Sequence, residues 1–82
     1  MNKPKVREII EATIKSGNNN PGLFDLPKIF GIKSKLESCT SINAVVGILE
    51  GNRKLICKSF GLSDAAFDEC VEKIKGPDAV AA

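Results

Sequence analysis

The sequence has no histidine, no tryptophan and no tyrosine, and its four phenylalanines are its only aromatic residues. Without histidine, the chain lacks the usual general base, the usual partner of a catalytic serine or cysteine, and the commonest metal ligand. Its three cysteines are an odd number with no closely spaced pair, which argues against a closed disulfide framework and a tight metal site. We therefore predict a protein that is not an enzyme and has no catalytic residue, no cofactor and no metal.

Long hydrophobic runs are also missing. The longest, Ala44–Leu49, has only six residues and contains a glycine. Such a run is far too short for a membrane span, and the first fourteen residues lack the uninterrupted apolar stretch of a signal peptide. We therefore expect no membrane partner and a cytoplasmic protein whose thiols stay reduced.

The chain nevertheless has the composition of a folded domain, with 82 residues of which 43% are hydrophobic and 27% charged. A chain this short buries only about 60% of its unfolded surface, so its core is small. The sequence predicts a single helical domain over residues 1–77 and a flexible tail over residues 78–82. A core of this size makes a protein partner or a second copy of the chain an expected source of further burial.

Hydrophobic spacing predicts helices in the first half of the chain. Residues 4–16 have the apolar stripe of an amphipathic helix, which Gly17 is suited to end. A loop rich in asparagine follows, and then we expect two short helices. The first is capped by Asp25 and ended by Gly31, and the second covers residues 34–39.

Helix boundaries are better marked in the second half. Thr40 and Ser41 are candidate N-caps for a helix that the glycine and asparagine at 51–52 interrupt. The next helix ends at Gly61, and Ser63 is suited to cap the helix after it.

The predicted fold is therefore all-α, a compact bundle of four to five short helices with a helix-turn-helix-like pair at about residues 53–75. Among the cysteines, Cys39 is expected to be the most exposed. The predicted core consists of the apolar residues that fall on the inner faces of these helices and in the loops between them: Val6, Ile9, Ile10, Ile14, Leu23, Phe24, Leu26, Ile29, Phe30, Leu36, Ile42, Val45, Val46, Leu49, Ile56, Phe60, Leu62, Phe67, Cys70, Val71 and Ile74.

Residues 56–70 resemble a helix-turn-helix motif, with the small residue Cys57 four positions before the turn residue Gly61. In DNA-binding proteins with this motif, the second helix enters the major groove. Here the outward face of that helix is acidic, and phosphates repel such a face. Its four carboxylates are a candidate contact face for a protein partner: Asp64, Asp68, Glu69 and Glu72.

The charge of the chain is polarised. Residues 1–35 have seven basic and three acidic residues, a net charge of +4, whereas residues 61–82 have two basic and five acidic residues, a net charge of −3. Six basic residues are candidates for contacts with phosphate groups or an acidic partner: Lys28, Lys33, Lys35, Arg53, Lys54 and Lys58.

Together these patterns predict a small helical protein-interaction module. The alternative is a helix-turn-helix-like regulator that binds nucleic acid through Lys28–Lys35 and Arg53–Lys58.

Overall fold

A computed structural model describes residues 1–80 of the chain, which form five helices and a final single helical turn. The elements are α1 (Lys3–Lys15), α2 (Leu26–Ser38), α3 (Ile42–Gly51), α4 (Arg53–Phe60), α5 (Asp64–Ile74) and α6 (Pro77–Val80). The predicted all-α bundle is confirmed for these residues. It includes the predicted pair of helices, α4 and α5, joined by the turn over residues 61–63.

The central helix of the bundle is α5, which packs against α1, α3, α4 and α6. Its buried residues follow one helical stripe, so a single face of α5 meets most of the core: Phe67, Cys70, Val71 and Ile74. In contrast, α2 lies at the edge of the bundle and packs most extensively against α3.

Local signals determine where the helices of the second half begin and end. Ser41 Oγ accepts a hydrogen bond from the Ala44 N–H at 3.2 Å, so Ser41 is the residue that caps α3. Ser63 Oγ caps α5 in the same way, at 3.1 Å from the Ala66 nitrogen. Gly61 ends α4 in the left-handed region, with φ of 65°, where a residue with a Cβ is strained.

The middle of the chain differs from the prediction, because α2 is one continuous helix instead of two short ones. Gly31 stays helical inside α2, where glycine is tolerated at a cost of about 1 kcal/mol relative to alanine. Asp25 precedes the helix but its side chain does not cap it. The Gly22 carbonyl instead accepts hydrogen bonds from the N–H groups of Asp25 and Leu26, both at 3.0 Å.

The single long helix also changes the core. The prediction that Leu23, Phe24 and Phe30 are buried is wrong, because these side chains are 84%, 92% and 60% exposed. Ile32 and Cys39 are buried in their place, at 7% and 6% exposure. Ile32 is on the inner face of α2, and Cys39, which directly follows the helix, is seven positions later and so falls on the same side. The expectation that Cys39 is the most exposed cysteine is therefore also wrong.

The two ends of the described chain are joined by a backbone hydrogen bond. The sequence predicted a flexible tail from residue 78, but residues 78–80 belong to α6, which packs on α1 and α5. Ala79 is fully buried, and its carbonyl accepts a hydrogen bond from the Asn2 N–H at 2.8 Å. Residues 81 and 82 of the predicted tail lie outside the described residues.

Ser59 offers a test of packing inside α4. Its Oγ is buried and has no hydrogen-bond partner within residues 1–80. We expect Ser59→Ala to raise the free energy of unfolding by about 1 kcal/mol, because an unpaired hydroxyl is removed from the core. The matched control is Ser63→Ala, which removes the N-cap of α5 and should lower that free energy by about 1 kcal/mol. Urea denaturation measures both, and a destabilised Ser59→Ala variant would contradict the expectation.

Candidate functional site

An apolar cavity of about 350 Å³ lies between α1 and α2 and opens toward solvent. Its inner wall is made by core residues of α3, α4 and α5, among them Val45, Phe60 and Phe67. The cavity exists because α1 and α2, within the described residues, do not pack against each other along their lengths. Its volume falls within the roughly 300–1,000 Å³ that is typical of ligand pockets in proteins.

The two sides of the cavity are formed by α1 and α2. Each helix presents apolar residues to it, and most of them recur at a spacing of three or four residues: Val6, Ile10, Ile14, Leu26, Ile29, Phe30 and Leu36. Several of these side chains are only half-buried, so the cavity walls reach the protein surface.

Charged residues surround the cavity, and we call Lys3, Arg7, Glu11, Lys33 and Glu37 the charged rim. Arg7 and Glu37 form a bidentate ion pair, with Nη2–Oε2 at 2.7 Å and Nε–Oε1 at 3.2 Å. This pair links the beginning of α1 to the end of α2, and Lys3 Nζ adds a hydrogen bond of 3.2 Å to the Glu37 carbonyl. Since Arg7 and Glu37 neutralise each other, the two lysines and Glu11 leave the charged rim with a net charge of +1.

A group of large exposed hydrophobic side chains lies at the edge of the cavity. We call Leu23, Phe24 and Phe30 the apolar patch. Phe30 itself lines the cavity, and Leu23 and Phe24 lie in the turn between two other lining residues, Pro21 and Leu26. The sequence interpretation assigned all three to the core. The loop residues directly before Leu23 were a signal for the surface, because loops run over the outside of a protein.

The predicted acidic face is present on α5, where all four carboxylates are exposed: Asp64, Asp68, Glu69 and Glu72. Glu69 pairs with Lys73, one helical turn later, with Nζ 3.1 Å from Oε1. No sequence signal indicated that the other end of this face is occupied by a cation from α4.

That cation is Arg53, which the sequence interpretation assigned to a basic surface. Its Nη1 donates to Asp64 Oδ1 at 3.0 Å, its Nη2 binds Asp68, and its Nε lies 3.3 Å from Glu50 Oε2. The guanidinium stacks over the Phe67 ring, 4.5 Å from its centroid. The Asp68 and Glu50 carboxylates raise the pKa of Arg53 above its ordinary value. Arg53 therefore ties α4 to α5 and is bound by the acidic face.

The remaining candidate basic residues are exposed on two helices. Lys54 and Lys58 are on α4, and the three lysines of the other segment are on α2. Both helices pack on α3. Lys33 lines the cavity, whereas Lys28 and Lys35, seven residues apart, share a different face of α2.

The three cysteines are free thiols. Burial raises the pKa of Cys70, and burial together with the nearby Asp64 raises the pKa of Cys57. Both thiols therefore stay protonated at neutral pH, and a protonated thiol is a poor nucleophile. The buried Cys39 Sγ donates a hydrogen bond of 3.3 Å to the Lys35 carbonyl.

Within residues 1–80, no three or more acidic or cysteine side chains are grouped so that they could hold a metal ion. None of the helices described combines the length and apolar character that a membrane crossing requires. The chain matches no protein-family model, no curated protein and no solved structure.

Proposed function

We propose that the chain is a small, non-enzymatic protein-interaction module whose contact surface is the cavity together with the apolar patch. The observation that carries the proposal is that Phe30 stands exposed in the wall of an open apolar cavity, and that Leu23 and Phe24 are exposed in the turn between the lining residues Pro21 and Leu26. Large exposed hydrophobic groups beside an apolar cavity mark contact sites on protein surfaces.

The energetics of such a contact follow from burial. Fully burying a leucine or phenylalanine side chain stabilises a complex by about 1.5–3 kcal/mol per residue. Leu23 and Phe24 are almost fully exposed in the free chain, so a partner gains most of this burial when it covers them. The cavity adds a concave site for an apolar anchor, which is the usual location of binding hot spots.

The acidic face on α5 is a weaker contact surface. Asp64 and Asp68 already bind Arg53, so a basic partner would compete with that ion pair. Because Arg53 is already bound by these two carboxylates, it is not free to bind phosphate groups. A cytoplasmic location is part of the proposal, and three cysteines that form no disulfide support it.

Selection of helical peptides from a display library, with the full chain as bait, tests the proposed contact surface. We expect the selected peptides to bind the Leu23→Ser/Phe24→Ser/Phe30→Ser variant at least about tenfold more weakly than the unmodified chain. These side chains are exposed, so circular dichroism should show an unchanged fold.

The matched control is Glu69→Gln/Glu72→Gln on α5, which should bind the selected peptides as the unmodified chain does. Failure to select any peptide, or peptides that depend on Glu69 and Glu72 but not on the apolar patch, would contradict the proposal. A shift of duplex DNA at low salt that Lys54→Glu/Lys58→Glu abolishes would favour a nucleic-acid-binding protein instead.

A further inference from the structure

We infer that the segment bound at the cavity and the apolar patch is an amphipathic helix of a partner protein, with acidic residues beside its apolar anchors. The inference rests on the proposed function and names the chemistry of the partner. It follows from the shape of the cavity, the charge around it and the position of the apolar patch.

The shape of the site favours a helix. Its sides are two helices, joined at one end by the Arg7–Glu37 ion pair and lined by apolar residues along α1 and α2. A third helix laid along such a cleft places residues i, i+4 and i+7 on one side, facing the opening. Apolar side chains at those positions reach the core residues that form the inner wall, including Leu49 and Ile56.

The charge around the site favours acidic flanks on that helix. Counted over all their sides, α1 and α2 carry seven basic and three acidic residues, a net charge of +4, and the charged rim at the cavity has a net charge of +1. At the cavity itself, Lys33 forms no ion pair within the described residues, and the ammonium group of Lys3 contacts only a backbone carbonyl. Acidic side chains beside the anchors would pair with these two lysines.

A second copy of the chain fits this surface less well. A symmetric dimer through α1 and α2 would bring two copies of the charged rim together, each with a net charge of +1, on helix pairs that each carry a net charge of +4, and like charges across an interface oppose association. A small apolar molecule in the cavity would leave Leu23 and Phe24 exposed. A flat lipid surface would cover those two residues but would leave the concave cavity unfilled.

Two synthetic peptides test the inference. Both are about 16 residues long, with the same leucine anchors at i, i+4 and i+7, and are stapled so that each is helical when free. One has glutamate at the flanking positions and the other has lysine. We expect the full chain to bind the glutamate peptide at least about tenfold more tightly at low salt, with a difference that shrinks as salt is added.

The variant Lys3→Glu/Lys33→Glu reverses the charge of the two lysines that line the cavity. It should lose the preference for the glutamate peptide and bind the lysine peptide more tightly than the unmodified chain does. Its matched control is Lys28→Glu/Lys35→Glu, which changes the net charge equally but on the other side of α2. The control should retain the preference, because its charges lie away from the cleft.

The outcomes separate this inference from the proposed function. Equal binding of the two peptides, or tighter binding of the lysine peptide, overturns the inference that the partner helix has acidic flanks. In that case the proposed function still stands if the binding of both peptides requires the apolar patch. If neither peptide binds, the inference fails. Dimerisation of the chain through α1 and α2 in light scattering also overturns it. Patch-dependent binding to phosphatidylserine vesicles, or cavity binding of dodecanoate without peptide binding, overturns it in favour of a lipid.

Discussion

Replacing Phe67 with alanine is expected to lower the free energy of unfolding by about 3–5 kcal/mol, the usual loss for a buried phenylalanine. Phe67 is 3% exposed on the central helix α5, and its ring lies under the Arg53 guanidinium. Its removal enlarges the existing cavity, whose wall it helps to form, and takes away the surface on which Arg53 stacks. The total stability of a small domain is only about 0.05–0.15 kcal/mol per residue. For 82 residues this is about 4–12 kcal/mol, so we expect Phe67→Ala to lose a large fraction of the stability of the chain.

The control for this substitution is Phe24→Ala, the same change at a side chain that is 92% exposed. It should alter the free energy of unfolding by no more than about 0.5 kcal/mol. Urea denaturation followed by circular dichroism measures both variants. If Phe67→Ala proves too unstable for a folded baseline, Phe67→Leu supplies a smaller loss of the same sign. Equal effects at positions 67 and 24 would show that the assignment of core and surface is wrong.

The second large effect is expected for Gly17→Ala. Gly17 follows α1 and lies against the end of α4, where a Cβ at position 17 would come 2.0 Å from the Phe60 carbonyl oxygen. That oxygen is fixed, because it accepts a hydrogen bond from the Asn19 N–H at 3.1 Å. The backbone must therefore move to admit a methyl group. We expect a loss of stability of about 1–3 kcal/mol, the range for overpacked sites, together with weakening of the Asn19 bond.

Gly31→Ala is the matched control for this clash. A Cβ at Gly31 meets nothing within 4 Å, and the residue is inside α2, where alanine is favoured over glycine. The control should therefore gain about 0.5–1 kcal/mol. Thermal denaturation should move the two midpoints in opposite directions. A Gly17→Ala variant as stable as the unmodified chain would show that the loop after α1 does not contact α4 in solution.

The parts of the fold that were predictable depend on short-range signals. Ser63 and Gly61 mark the boundaries of α5 and α4 through hydrogen bonds and backbone geometry that involve only neighbouring residues. Gly31 misled the prediction, because a glycine inside a helix is unfavourable by only about 1 kcal/mol, which tertiary packing readily outweighs. The packing of Ile32 and Cys39 into the core favours one continuous α2 over two short helices.

The candidate site was harder to predict, because it depends on which pairs of helices do not pack against each other. Hydrophobic spacing shows that α2 has an apolar face, but it does not show whether another helix covers that face. The partners of Arg53 could not be predicted either, because Asp64 and Asp68 are 11 and 15 residues away in sequence and approach it only through the packing of α4 on α5. The helix-turn-helix pattern predicted that α4 and α5 are adjacent but did not specify the side chains that join them.

The unequal packing of α5 and α2 also determines where the folded chain opens first. Because α5 contacts four other helices, its amide hydrogens become accessible only when most of the bundle unfolds. By comparison, α2 can separate from the bundle by breaking its packing on α3, the burial of Ile32, and the bonds of Arg7 and Lys3 to Glu37. Amide hydrogens of α2 should therefore exchange with solvent by local opening, while those of α5 report the global stability. The proposed binding surface is thus built on the helix that can adjust its position with the least disturbance to the core.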